Sequence, residues 1–317
     1  DWARFMSTYH EVLGTLKDYL QIKSDHVLLH DDLEDTSRPF YYHEIVQLLA
    51  EHELEYLADA AFASNMVSNI APEEQAWLKA VAHSFDEMEQ YLDFMRNRTF
   101  RTSLLVHSSL GFTRNITPLP IANFYVQSSI FRSDPQPDGL DEGIIHFQGT
   151  EGIGFATADV VIIAALDTLA EFKGLQIPFR ELVQRARERA YAYAVPASTL
   201  DEDAGRIATT LLQFYGKSTS MVELFTTPPS YVAILNERPI ASKYARYQAI
   251  SNEMVTNQRQ NRVQLGPNAR ALISLLDGTN DRNALIEAMM RLTLQPEGVA
   301  ESERREKMAD EVDRLMG

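Results

Sequence analysis

Apolar residues recur three and four positions apart through much of the chain, with short alternating stretches between them. The pattern predicts a mainly helical protein with small β elements, an α+β class. Tyr9, Val12, Leu13, Leu16, Tyr19 and Leu20 share one helix face. A polar break runs from Gln21 to Pro39, and a second helix starts near Tyr42 with Ile45, Leu48 and Leu49 inward, ending near Glu53. A third opens at Pro72, where a first helical position accepts proline, and Glu73 and Glu74 complement its N-terminus. Leu78, Val81, Phe85, Met88, Leu92 and Met95 continue it as one coiled-coil-like seam. At under three heptads the seam reads as bundle packing, with a homodimer contact as the alternative.

Past Thr117 the period changes, with Pro118 and Pro120 marking a boundary. Phe124, Val126 and Ile130 alternate as a strand does, and Gly143 to Gln148 reads as another. Helices are predicted at about 158–172, 178–193 and 200–215, the last with a Thr199/Glu202 capping box and Gly216 just past its end. Met221 to Thr226 returns to strand, giving the order strand, three helices, strand.

The tail echoes that order without a residue-level repeat. Val263 and Leu265 alternate, and Pro267 opens a helix that Gly278 closes. Asn280 or Asp281 caps a helix carrying Leu285, Ile286 and Met289. A charged helix from about Ser302 turns Met308, Val312 and Leu315 inward. Three domains are therefore expected: a helical one over 1–116 and two winged-helix-like units over 117–235 and 236–317, joined by a proline-bearing linker from Thr227 to Ala241.

Composition narrows the function. The 317 residues are 45% apolar and 23% charged, enough to bury sizeable cores. With 29 basic and 45 acidic residues the net charge is −16, which argues against wholesale nucleic-acid binding. The two helices that could read DNA carry net charges of −2 and −1 where a recognition helix is basic. Cysteine is absent, which removes disulfides, thiolate metal sites and cysteine nucleophiles; a cytoplasmic location is expected. No apolar run approaches a membrane span. Residue 1 is Asp with no initiator Met, so the chain is expected to be part of a longer one.

From Asp25 to Asp59 ten carboxylates face one Arg38, with His26, His30, His43 and His52 among them. His26 and His30 would share a helix face, as zinc ligands can, and His43-Glu44 opens like a zinc-protease motif. Position 47 is Gln, so that motif lacks its second ligand, and a solvated acidic face or protein contact is preferred to a metal site. Gly149, Gly152 and Gly154 sit between a strand and a helix, but no parallel strand with a ribose-binding acid follows. A tight turn explains them better than a cofactor loop. Arg96, Arg98, Arg101 and Arg114 form a basic cluster among Phe94, Phe100 and Phe112. Its plain role is capping and pairing with the acidic segment; its sharper one is contact with an acidic partner or ligand phosphates. No serine triad or acid pair stands out.

Three stretches carry a family resemblance. LLHDDLEDTSRPFYYHEIVQLLAEHELEYLADA (28–60) and YLDFMRNRTFRTSLLVHSS (91–109) resemble the methyltransferase regulatory domain. NRVQLGPNARALISLLDGTNDRNALIEAM (261–289) is similar to the C-terminal winged-helix unit of bacterial protein-lysine methyltransferases, and VELFTTPP with RPIASKYARYQA resembles the junction before it. The resemblance implies the non-catalytic part of a class I S-adenosylmethionine (SAM)-dependent methyltransferase, with SAM bound on a preceding domain and no cofactor, metal or catalytic residue here. It places candidate interaction and substrate-docking residues at His30, Asp31, Tyr41, His43, Glu44, Arg96, Arg98 and Arg101. The implied partners are the protein's own catalytic domain, a protein substrate and a second copy, with no nucleic acid. Two rivals remain: a metal-dependent enzyme using 25–59, and a scaffold or transcriptional partner.

Overall fold

The computed structural model describes residues 38–133, 143–149, 152–172, 175–193, 195–218, 221–229, 231, 235–293 and 300–316, with 10, 13, 14, 16–18, 20, 21, 23, 27–33 and 35. The chain forms two compact units, Asp1–Ile116 and Thr117–Gly317. It is mainly helical with small antiparallel sheets, as the apolar pattern predicts. Much of the helix expected over 9–20 lies outside the described residues, as does His26.

In the first unit, helix α1 (Tyr42–Glu51) leads into strand β1 (Leu54–Asp59). Glu53 adopts a left-handed φ of 56°, and its carbonyl accepts the Ser108 N–H at 2.9 Å. Helices α2 (Pro72–Val81) and α3 (Phe85–Met95) follow, and β2 (Ser103–His107) returns antiparallel to β1, pairing Leu54 with His107. Two expectations are corrected here. The single helix from Pro72 to Met95 is two, because the Ser84 hydroxyl accepts the Glu87 N–H at 3.1 Å and starts a new helix. The unit is also not all helical, since β1 and β2 pair across nearly fifty positions, beyond any local period. Tyr42, Leu49 and Tyr56 form its core, with Phe85 against them.

The second unit holds two cores with no residue in common. The larger lies around helix α4 (Val160–Glu171), whose N-cap Asp159 accepts the Val161 N–H at 2.9 Å. Against it pack two sheets: β3 (Tyr125–Ser128) between β7 (Ile177–Pro178) and β8 (Val222–Phe225), and β5 (Ile145–Gln148) between β4 (Phe131–Arg132) and β6 (Gly154–Thr157). Helices α5 (Phe179–Ala190) and α6 (Leu200–Lys217) complete this core with Leu182, Ile207, Leu211 and Phe214. The expected order of strand, three helices and strand is interrupted once, by β7 between α4 and α5, while β6 adds a strand before the helices. Gly149 and Gly152 make the turn joining β5 to β6, with Gly152 at φ 74°, so these glycines build a hairpin. The Thr199/Glu202 capping box is present, while Gly216 lies inside α6 and not beyond it.

The smaller core joins Leu272, Leu285, Ile286, Met289 and Val312. These sit on helices α8 (Pro267–Leu275), α9 (Arg282–Leu292) and α10 (Glu301–Met316). Asp281 caps α9 by accepting the Ala284 N–H at 2.9 Å. Before α8 come helix α7 (Lys243–Ser251) and the hairpin of β9 (Met254–Thr256) with β10 (Arg262–Gln264), of which only the second strand was foreseen.

Candidate functional site

The arginine cluster follows directly from how α3 ends. Asn97 takes a left-handed φ of 46°, Arg98 N–H reaches the Asp93 carbonyl at 2.9 Å, and Asn97 N–H reaches Phe94 at 3.2 Å. This paired bonding is a Schellman termination, and Asn is among the few non-glycine residues that tolerate its backbone. The turn sends three arginines back across the unit. The Arg96 guanidinium donates to the carbonyls of Ser64 at 2.5 Å and Met66 at 3.1 Å. Arg98 lies 3.7 Å from the Asp59 carboxylate and 3.5 Å from Asp93.

Arg101 is the hub. Its Nε and Nη2 donate to Asp93 at 2.9 and 2.8 Å, and its Nη1 donates to Glu89 and to the Tyr56 hydroxyl, both at 2.9 Å. Its guanidinium also sits 4.4 Å from the centroid of the Tyr42 ring, within cation–π range. Glu89 is only 2% exposed, a position a carboxylate occupies at little cost only when paired. Burial lowers the Arg101 pKa, but the Asp93 hydrogen bond, Tyr56 and Glu89 outweigh it, and the net shift is upward. Arg96 shifts the other way, lowered by burial and then by the neighbouring Arg98 charge. Burial pushes the Tyr56 hydroxyl up to about 12, reinforced by Glu89. Tyr42, buried and donating to Asp86 at 3.1 Å, shifts higher still.

Tyr41, His43 and Glu44 border this hub. Glu44 accepts the Tyr41 N–H at 2.8 Å, and His43 meets Gln90 through Nδ1 at 3.0 Å. The exposed Tyr41 ring stacks with His43 at 5.8 Å and meets Phe94 edge-on at 5.9 Å. His30 is exposed in a short π-type turn, Leu28–Asp32; the Asp31 side chain lies outside the described residues. Among the described residues no group of three His, Asp or Glu side chains has metal-holding geometry. The residues that sequence reasoning missed are the hub's partners Tyr42, Tyr56, Glu89 and Asp93. The available signal was the Glu89–Asp93 spacing of four, which places both carboxylates on one face of α3.

A second polar centre lies in the larger core of Thr117–Gly317 and had no sequence signal beyond the α6 cap. Asp203 is fully buried, accepts the Ser198 hydroxyl at 2.6 Å, and pairs with Arg187 and Arg206. Arg206 also reaches Asp159 at 2.6 Å, tying α6 to the start of α4. Beside it runs an open groove of about 950 Å³, lined by Phe155, Val160, Tyr191, Ser198 and Thr210.

Two stretches of the chain, one in each compact unit, match known domain families. Residues 24–107 match the predicted methyltransferase regulatory domain, and residues 237–314 match the PKMT C-terminal winged helix domain. Each match covers about a quarter of the chain. It is 27% identical over 329 residues to Uncharacterized protein RP789 of Rickettsia prowazekii, covering 97% of this chain and 56% of that protein. It is 23% identical to Uncharacterized protein RP027 of the same organism, covering 63% of this chain and 81% of that one. Its fold is similar to PKMT2 from Rickettsia typhi, with a TM-score of 0.78 at 20% identity, covering 97% of this chain and 62% of PKMT2. The same protein in complex with AdoHcy gives a TM-score of 0.77 at 21% identity. The chain thus spans less than two thirds of the length of RP789 and PKMT2. No helix among the described residues is long and apolar enough to cross a membrane.

Proposed function

We propose that this chain is the regulatory and substrate-docking part of a SAM-dependent protein-lysine methyltransferase. On this reading the chain itself performs no methyl transfer, and SAM binds elsewhere in the complete protein. Its roles are to hold the catalytic domain and to gather a lysine-rich protein substrate. The observation that carries the docking role is the charge of the first unit. Residues 51–87 present seven exposed carboxylates (Glu51, Glu53, Glu55, Glu73, Glu74, Asp86 and Glu87) and a single cationic side chain, Lys79. A field of one sign speeds the encounter with a partner of the other and fades as salt screens it. The hub arginines Arg98 and Arg101 do not cancel this field, because they are paired with Asp59, Glu89 and Asp93.

Calorimetry with SAM tests the division of labour. No saturable heat is expected from this chain alone, and tight saturable binding overturns the non-catalytic reading. Fluorescence anisotropy with a lysine-rich peptide tests the docking role. Its affinity is expected to fall as salt rises and to fall again in the Glu51→Gln, Glu73→Gln variant; equal affinity for the glutamine counterpart of the peptide removes the lysine claim.

A further inference from the structure

Helix α7 is built inside out. It buries its two smallest apolar side chains, Ala245 and Ala249, and shows water its largest, with Tyr244 59%, Tyr247 71% and Ile250 71% exposed. An ordinary surface helix does the reverse, because burying large apolar area is what holds it down. Spacings of three put Tyr244, Tyr247 and Ile250 along the outward side, a contiguous surface that the described chain leaves uncovered. Tyrosine suits a contact face, since it supplies a rigid ring and a hydroxyl for little entropy.

The same stretch reverses the charge of the protein. Residues 238–270 hold six basic side chains against Glu253 alone, a net of +5, while the other 284 residues hold 23 basic and 44 acidic ones, a net of −21. Three of the six are committed or recessed. Arg259 pairs with Glu223, Arg270 caps the carbonyls of Ala249 and Ile250, and Arg246 is half-buried. The other three, Arg238, Lys243 and Arg262, are exposed and make no ion pair among the described residues. Lys243 shares the outward side with Tyr247 and Ile250.

We propose that the outer side of α7, with Tyr244, Tyr247, Ile250 and the exposed cation Lys243, is a docking surface for an acidic, apolar-studded segment of a partner protein. Charge decides the chemistry of the occupant: carboxylates find in this stretch the positive surface that the rest of the chain denies them. Three free cations are too few for a nucleic acid, whose binding rests on neutralising many phosphates against the field of the remaining −21. This surface belongs to Thr117–Gly317 and the acidic one to Asp1–Ile116, and each reading is tested on its own.

The test uses the full chain and three labelled probes followed by fluorescence anisotropy: an alternating glutamate–leucine peptide, its lysine–leucine counterpart and a single-stranded oligonucleotide. The glutamate–leucine peptide is expected to bind saturably and in preference to the other two. Lys243→Glu is expected to weaken it about tenfold, and Tyr247→Ala by a similar factor. Circular dichroism melts confirm that each variant folds; Lys243→Gln and Tyr247→Phe, which keep the backbone and most of the surface, take over if one does not. The conservative pair is expected to separate the two contributions, with Lys243→Gln losing affinity and Tyr247→Phe keeping most of it. Absence of saturable binding, equal affinity of the charge-reversed variant, or tighter binding of the oligonucleotide overturns the proposal.

Discussion

Arg101 has four side-chain neighbours that depend on it, and the cost of removing it lies in what it leaves behind. Arg101→Ala strands Glu89 as an uncompensated buried carboxylate and frees Asp93. A loss of about 3–5 kcal/mol is expected in urea unfolding, the range for breaking one side of a buried pair. Arg101→Lys is expected to recover only part of it, because an ammonium cannot fork to two acids and a hydroxyl at once. The neighbouring tyrosines set an alkaline limit. Unfolded, both ionise near pH 10; folded, burial raises both, Tyr56 to about 12. A folded pKa above the unfolded one contributes stability that is complete below pH 10 and is lost as pH climbs toward 12. Unfolding free energy is expected to be flat up to about pH 10 for this pair and to fall above it. Tyr56→Phe should soften the fall, and an unchanged slope would contradict the assignment. In the sequence the arginines were visible as a cluster, while their purpose was not, because Tyr56, Glu89 and Asp93 meet Arg101 only through tertiary packing.

Helix ends account for much of what was legible at the next scale. Thr199 with Glu202, Asp281 before α9 and Pro267 at the start of α8 are local chemistry, and each appears where the sequence places it. The break at Ser84 is equally local but was hidden beneath an unbroken apolar period. Ser84→Ala is expected to cost about 1 kcal/mol by removing the α3 cap, measured by thermal melts. Strands β1 and β2 were invisible because neither alternates cleanly and each needs the other. Helix α7 was missed because its large residues face outward, so its pattern points away from a core. At the turn after α8, Gly278 sits at φ 88°, and a Cβ there would approach Ile240 to 2.8 Å. Gly278→Ala is expected to lose about 1–3 kcal/mol through backbone strain. Ile240→Ala in the same chain should restore only the part due to the clash, a separation that a double-mutant cycle reads directly.

Taken whole, the molecule is organised by charge as much as by core. Its class as a mainly helical chain with small sheets could be read from periodicity, and its likeness to the two matched domains from three short stretches. The +5 of residues 238–270 can be counted in the sequence, but which of its cations stay exposed could not be read there. The two cores of Thr117–Gly317 share no residue, so Leu285→Ala is expected to lower the transition of the smaller core while sparing that of the larger, seen as one shifted peak in calorimetry.

Helix α7 also has a dynamic consequence. Beyond two buried alanines, α7 is held by polar bonds alone: the Ser242 cap, the Gln248–Thr256 pair and the Arg270 bonds to its last carbonyls. The free energy needed to peel the helix away is correspondingly small. Its amides should therefore exchange with deuterated solvent early, well before those of α4, and slow when a partner seats on the tyrosines. Protection at Tyr244 to Ile250, followed by mass spectrometry, would then mark occupancy without any knowledge of what the partner is.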